Sequence, residues 1–227
     1  THGPLPVGQA VDYTHQAAEG LAHAHDMNVM HRDVKPVNLV VDDQDVVKII
    51  DFGLVRYLER EYNVHEVLTV QLDAPMGTPY YMSPEQATSV DVDHRSDVYS
   101  LGCTLYYLLT AHRPYVGATQ QEIQAAHAEA PIPSPREHRE EIPECLAVVF
   151  RKMVAKRPDD RYQSMQDAAQ ALRECESAIP IGESESSWPR APARHSSSDR
   201  RRFRDFDASE LDDFEATEDS QNSPRRD

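Results

Sequence analysis

His31-Arg32-Asp33-Val34-Lys35-Pro36-Val37-Asn38 runs directly into two short apolar stretches, Leu39 to Val41 and Val46 to Ile50, and the second ends on Asp51-Phe52-Gly53. Valine and isoleucine fill both stretches and the polar run Asp42-Asp43-Gln44-Asp45 separates them, so the segment is expected to fold as a β-hairpin. Arms paired symmetrically about Gln44 and Asp45 set Asn38 opposite Asp51. An amide oxygen and a carboxylate at the open end of a hairpin suit Mg2+, which takes few protein oxygens and fills its shell with water and phosphate oxygens. Taken alone, the same pair also reads as ordinary turn chemistry.

Helical patterns flank the hairpin on both sides. From Gly8 to about Asp26, Val11, Thr14 or His15, Ala18, Leu21, Ala22 and His25 recur at helical spacing, and Pro6 suits a helix entry. Ser96 to Thr110 is apolar nearly all round, as expected of a helix in the middle of a core. Further helical patterns lie near 119–129, 144–155 and 164–176, with Pro131, Pro133, Pro135, Pro143 and Pro158 at the breaks. The expected fold is mainly α around one small hairpin.

The chain has 227 residues and a net charge of -16, which leaves no basic field to gather nucleic acid or an anionic membrane surface. Cys103, Cys145 and Cys175 are odd in number, far apart and without a C-x-x-C pair. That pattern argues against a disulfide framework or a thiolate zinc site and favours reduced, cytoplasmic thiols. No stretch is long and apolar enough for a transmembrane span. Beyond Glu176 the composition shifts to serine, acidic and arginine residues that cannot build a core. Residues 177–227 are therefore expected to be a disordered charged tail, in which Arg200, Arg201, Arg202 and Arg204 precede an acidic block punctuated by Phe203, Phe206, Leu211 and Phe214. Such a block could fold on a partner or on its own domain.

The decisive stretch, from His31 to Asn38 and then Asp51-Phe52-Gly53, matches the catalytic loop and D-F-G of protein kinases in residue type and spacing. Gly77-Thr78-Pro79-Tyr80-Tyr81-Met82-Ser83-Pro84-Glu85-Gln86 resembles the end of the kinase activation segment, with Ser83 in place of the usual alanine of A-P-E. Asp97-Val98-Tyr99-Ser100-Leu101-Gly102 and Arg157-Pro158-Asp159-Asp160-Arg161-Tyr162 resemble later signatures of the same lobe. The sequence looks like a eukaryotic-type Ser/Thr protein kinase, closest in wording to bacterial members. The resemblance covers residues 1–176 as the large, helical lobe with its small hairpin.

The resemblance implies ATP and Mg2+ as cofactors and Ser/Thr hydroxyls of proteins as acceptors. Asp33 would orient and accept the proton of the attacking hydroxyl, and Lys35 would neutralise the γ-phosphoryl oxygens and contact the nucleotide. Asn38 and Asp51 would hold the metal on the nucleotide phosphates, and Val40 would lie beneath the adenine. Thr78 belongs to the substrate-binding end of the activation segment. Arg32 would grip an activation-loop phosphate, with Thr69 as the first acceptor and Tyr57 and Tyr62 behind it. His31, Phe52, Glu85, Asp97 and Arg161 take structural roles: His31 as a packing histidine, Phe52 as a core neighbour, Asp97 as the anchor of the catalytic loop, and Glu85 paired with Arg161.

The family's small β-rich lobe, with its Gly-rich loop, strand lysine and helix glutamate, has no counterpart in the residues before Gly8, and Lys48 on the second hairpin arm is no substitute. The expectation is a kinase large lobe that is weakly active or inactive alone. The alternative is a non-catalytic interaction module with kinase-like loops.

Overall fold

The computed structural model describes residues 3–52, 79–88 and 92–176, and a short strand at Arg201–Arg202. Helix α1 (Val7–Asp26) leads into an irregular segment, the 3-10 turn Pro36–Asn38 and the hairpin of β1 (Leu39–Val41) and β2 (Val47–Ile49). Two 3-10 turns, Pro79–Tyr81 and Pro84–Ala87, precede α2 (Arg95–Thr110). Then come α3 (Gln120–Glu129), α4 (Glu144–Met153) and α5 (Met165–Glu176). The helices lie where the apolar spacing puts them.

Helix α2 is the axis of the core. Every residue from Ser96 to Thr110 is buried, and α1, α4 and α5 pack around it. Leu21, Leu101, Leu105, Leu109, Leu146, Phe150, Met153 and Leu172 form the centre of one continuous apolar cluster that also holds Cys103. Helix α1 is sandwiched between α2 and α5, with Ala10, Ala17 and Ala18 fully buried, and these small side chains let the helices approach closely.

One face of α1 also braces the hairpin. Gln16 accepts from the Val47 N–H (2.9 Å) and donates to the Asp45 carbonyl (3.1 Å), while the Tyr13 hydroxyl donates to the Asp45 carboxylate (2.9 Å). Gly20 faces Ile49, where an added Cβ would come within 3.0 Å of the Ile49 Cδ1. Lys48 points outward and pairs with Asp42 at 3.2 Å.

The hairpin register differs from the expected one. Leu39 pairs with Ile49, Val40 with Lys48 and Val41 with Val47, and the Ile50 N–H donates to the Asn38 carbonyl (2.9 Å). Asn38 therefore faces Ile50, and Asp51 lies one residue further on. The turn is the cause, since the loop has three residues and not two: Asp42 and Val46 close it (3.0 Å), and Asp45 takes a left-handed backbone (φ 59°). The Asp42 carboxylate fixes that shape by accepting from the Gln44 and Val46 N–H groups.

Within residues 177–227, Arg201–Arg202 form β3, antiparallel to β1, so the sheet order is β2-β1-β3. Cys103 lies on α2, Cys145 on α4 and Cys175 on α5. All three cysteines are free thiols. Among the described residues no helix is long and apolar enough to cross a membrane.

The contact between α2 and α4 depends on a missing side chain. A Cβ on Gly102 would sit 2.7 Å from Val154 Cγ1 and 2.9 Å from Met153 Cβ. Gly102→Ala is expected to destabilise the fold by about 1–3 kcal/mol through overpacking, although alanine in an open helix position gains roughly 1 kcal/mol. Urea unfolding of the two proteins reads the difference, and a more stable variant would contradict this packing.

Candidate active site

Residues 31–38 leave α1 as an irregular loop whose backbone is held by a buried carboxylate. Asp97, in the first turn of α2 and 1 % exposed, accepts from the His31 N–H at 2.8 Å and from the Arg32 N–H at 2.7 Å. Its Oδ2 also meets His25 Nε2 from the last turn of α1 at 2.8 Å. Arg32 needs this clamp, because its backbone is left-handed (φ 67°), a conformation that costs a non-glycine residue roughly 1–2 kcal/mol. The Gln86 side-chain amide closes the other side by donating to the Arg32 carbonyl at 2.8 Å.

His31 lies beneath the loop, fully buried. Its Nδ1 accepts from the Asp33 N–H (3.2 Å), so Nε2 carries the hydrogen and donates to the Ile50 carbonyl (2.9 Å). Both ring nitrogens are thus engaged with backbone, tying the loop to the end of the second hairpin arm.

Three polar side chains converge above His31. Asp33 Oδ2 receives Lys35 Nζ at 2.8 Å and Asn38 Nδ2 at 3.2 Å, and Asn38 Nδ2 also donates to the Asp33 carbonyl at 2.7 Å. Asn38 is buried and the Asp33 side chain is largely open. Asp33 thus faces solvent with one oxygen oriented by a cation and an amide. Because Asn38 spends its Nδ2 on Asp33, its Oδ1 is the end a cation would use. Val40 is buried on β1. Asp51, exposed and left-handed (φ 59°), turns the chain as it leaves the hairpin.

Phe52 is 37 % exposed and packs beside the core against the buried His31, its ring tilted with centroids 4.8 Å apart. Thr69, Thr78 and Gly53, with Tyr57 and Tyr62, lie outside the described residues.

The segment Pro79–Ala87 is fastened from below. Arg161, 2 % exposed, grips Glu85 through two parallel bonds of 2.6 and 2.7 Å. Its other donors reach the carbonyls of Ala155, Arg95 and Lys156, so the buried guanidinium is fully satisfied. Burial works against the Glu85 charge, but the Arg161 hydrogen bonds and positive charge outweigh it and hold the carboxyl below the usual range. Ser83, the departure from the expected alanine, places its hydroxyl 2.5 Å from that of Ser96 at the start of α2.

The sequence profile described as protein kinase domain matches residues 1–173. The chain belongs to that family. It is 41 % identical over 165 residues to the serine/threonine-protein kinase PknB of Mycolicibacterium smegmatis, which covers 72 % of this chain and 26 % of that protein. It is 39 % identical over 165 residues to PknB of Mycobacterium tuberculosis, with the same coverage. It is 38 % identical over 172 residues to PknH of Mycobacterium bovis, covering 76 % of this chain and 28 % of that one. The chain thus spans about a quarter of the length of the curated relatives it matches.

Sequence reasoning missed His25 and Gln86. Gln86 carried a signal, since a serine followed three residues later by glutamine is a capping-box pattern, and the Ser83 N–H does donate to Gln86 Oε1 (2.9 Å). His25 carried none, because its spacing fits the buried face of α1 whether or not it meets a carboxylate.

Arg161→Met is expected to cost about 3–5 kcal/mol by stranding the Glu85 charge, and Glu85→Gln added to it to restore part of that loss. The wild-type contribution of Glu85 is fully present above the unfolded carboxylate range near pH 4 and is lost as pH falls through the lower folded value. Denaturant unfolding between pH 3 and 7 should show that acid loss in the wild type and not in the double variant.

Proposed function

We propose that residues 1–176 are the large lobe of a serine/threonine protein kinase that moves the γ-phosphoryl of ATP to Ser/Thr hydroxyls of proteins. The observation that carries this reading is the set of Asp33, Lys35 and Asn38 joined within 3.2 Å on a loop whose backbone is clamped by a buried carboxylate. Phosphoryl transfer asks for positioning and charge neutralisation more than covalent help, and this set supplies both.

Asp33 accepts the proton of the incoming hydroxyl with the oxygen that Lys35 and Asn38 orient. Lys35 reaches the same point from the side and neutralises the transferring phosphoryl oxygens. Asn38 Oδ1 and the Asp51 carboxylate are the oxygens that would hold Mg2+, which supplies charge neutralisation on the phosphates when bound. Among the described residues no three His, Cys, Asp or Glu side chains cluster as a metal site, and Mg2+ needs no such cluster because it keeps waters and phosphate oxygens. Val40, buried on β1, is the floor on which the adenine would rest. Arg32, beside Asp33, would receive a phosphate on Thr69, and Thr78 would face the substrate.

The clamp over the phosphates that the family's small lobe provides has no counterpart among the described residues, and Val37 and Phe52 beside the catalytic loop are 41 % and 37 % exposed. Both fit a half-site that works with a second lobe.

Mg-ATP titration by calorimetry tests the half-site. Weak, metal-dependent binding that disappears in Asp51→Ala is expected, and binding by a folded sample that is equal in both proteins would remove Asp51 from the metal site. In a longer form carrying a small lobe, Asp33→Asn is expected to lower kcat by a factor of about 100 or more. Unchanged turnover would overturn the role of Asp33 and favour the interaction-module reading.

A further inference from the structure

Helix α5 returns along α1 and brings the start of the tail toward the hairpin. In the first turn of α5 Gln166 donates to the Asp26 carboxylate (3.1 Å), and in its last turn Arg173 reaches Glu19 (3.0 Å) and His15 (3.2 Å). The same stretch of α1 carries Tyr13 and Gln16, which hold the hairpin. Residues 177–200 separate α5 from β3, and a chain of that length spans up to roughly 80 Å when extended. One chain can therefore supply both β1 and the strand beside it.

The pairing has a defined side. Asn38 and Asp42 turn their backbone groups toward β2, where the Asn38 carbonyl accepts from the Ile50 N–H (2.9 Å) and the Asp42 N–H donates to the Val46 carbonyl (3.0 Å). Alternation along the strand then directs the Val41 N–H and carbonyl to the opposite edge. On that edge Arg201 lies across from Val41, and Arg202 across from Val40. Val40 shares a face of the sheet with Lys48, its partner on β2, yet the Lys48 side chain is 59 % exposed and Val40 only 6 %. Val40 also stands outside the continuous apolar cluster that holds Leu39. Its cover comes neither from that core nor from the β2 side, and β3 is the described strand on the remaining side.

We propose that β3 is an intrachain latch on the outer edge of β1, by which the basic segment 200–204 of the tail and Mg-ATP exclude each other. The inference rests on the kinase reading above, in which the adenine lies on Val40. A base on Val40 and a strand paired with Val40 and Val41 approach β1 from the side that β2 leaves open, so they compete for the same ground. Charge favours closure: the segment carries Arg200, Arg201, Arg202 and Arg204, and the hairpin with its flanking loop carries Asp33, Asp42, Asp43, Asp45 and Asp51 against Arg32, Lys35 and Lys48. A ladder of two positions is short, so the latch is reversible. A nucleotide that binds only the open form shifts the population toward it, and the docked tail weakens nucleotide binding by the same factor.

The test combines amide hydrogen exchange by NMR with calorimetric Mg-ATP titration, both on the 227-residue chain. In the wild type the Val41 N–H should exchange slowly, independently of protein concentration, and become fast at saturating Mg-ATP. Arg201→Pro removes the N–H that the strand opposite Val41 must supply. It should leave the circular dichroism unchanged, free the Val41 N–H, and tighten Mg-ATP binding by about three- to tenfold. Arg201→Gln loses the same charge but keeps the N–H, and should stay within about twofold of the wild type, since one surface charge is worth little. Fast exchange at Val41 in the wild type, protection that rises with protein concentration, or equal Mg-ATP affinity in the wild type and Arg201→Pro would each overturn the latch. Failure of the kinase reading looks different: Val41 is protected, neither folded protein binds Mg-ATP, and the latch falls with that reading.

Discussion

Asp97 is the residue on which the site depends. It sits where α2 begins, almost without exposure, and one carboxylate serves two backbone amides of the catalytic loop and the ring of His25. A loop that must present Asp33, Lys35 and Asn38 in one place cannot be regular secondary structure, so its backbone groups need other partners. The carboxylate supplies them, and in doing so it holds Arg32 in a conformation that an unconstrained arginine avoids. Helix α2 can offer that anchor because the rest of it is buried on all sides.

The other polar ties work in the same manner. Gln86 reaches from the Pro84–Ala87 turn to the Arg32 carbonyl, and Arg161 fixes that turn through Glu85. A buried ion pair of this kind gives little net stability compared with an apolar pair of similar size, but it allows one arrangement and penalises others. Catalytic loop, Pro84–Ala87 turn and helical core are thereby held in register without a covalent link. The proposed phosphoryl transfer would need that rigidity, since charge stabilisation depends on groups placed beforehand.

Much of this was legible in the sequence, and the parts that were not have identifiable causes. Helices announce themselves by spacing, so α1 and α2 were readable from Val11, Ala18 and Leu21 and from the unbroken apolar run after Ser96. The hairpin was readable too, but its register was not, because the choice between a two-residue and a three-residue loop rests on the left-handed backbone of Asp45 and on which amides the Asp42 carboxylate takes. The convergence of Asp33, Lys35 and Asn38 followed from the family's motif and not from periodicity. Contacts between distant segments were invisible: His25 on Asp97 and the pairing of Arg202 with Val40 leave no local pattern.

The most direct test of the account is amide hydrogen exchange at His31 and Arg32, compared with Leu21 and Leu105 in the core. If Asp97 holds the loop as described, both loop amides exchange slowly, near the core rate, and in Asp97→Ala they become fast while the core helices stay protected. Fast exchange at His31 and Arg32 in the unaltered protein would contradict it, because Asp33, Lys35 and Asn38 would then rest on a loop that the core does not hold.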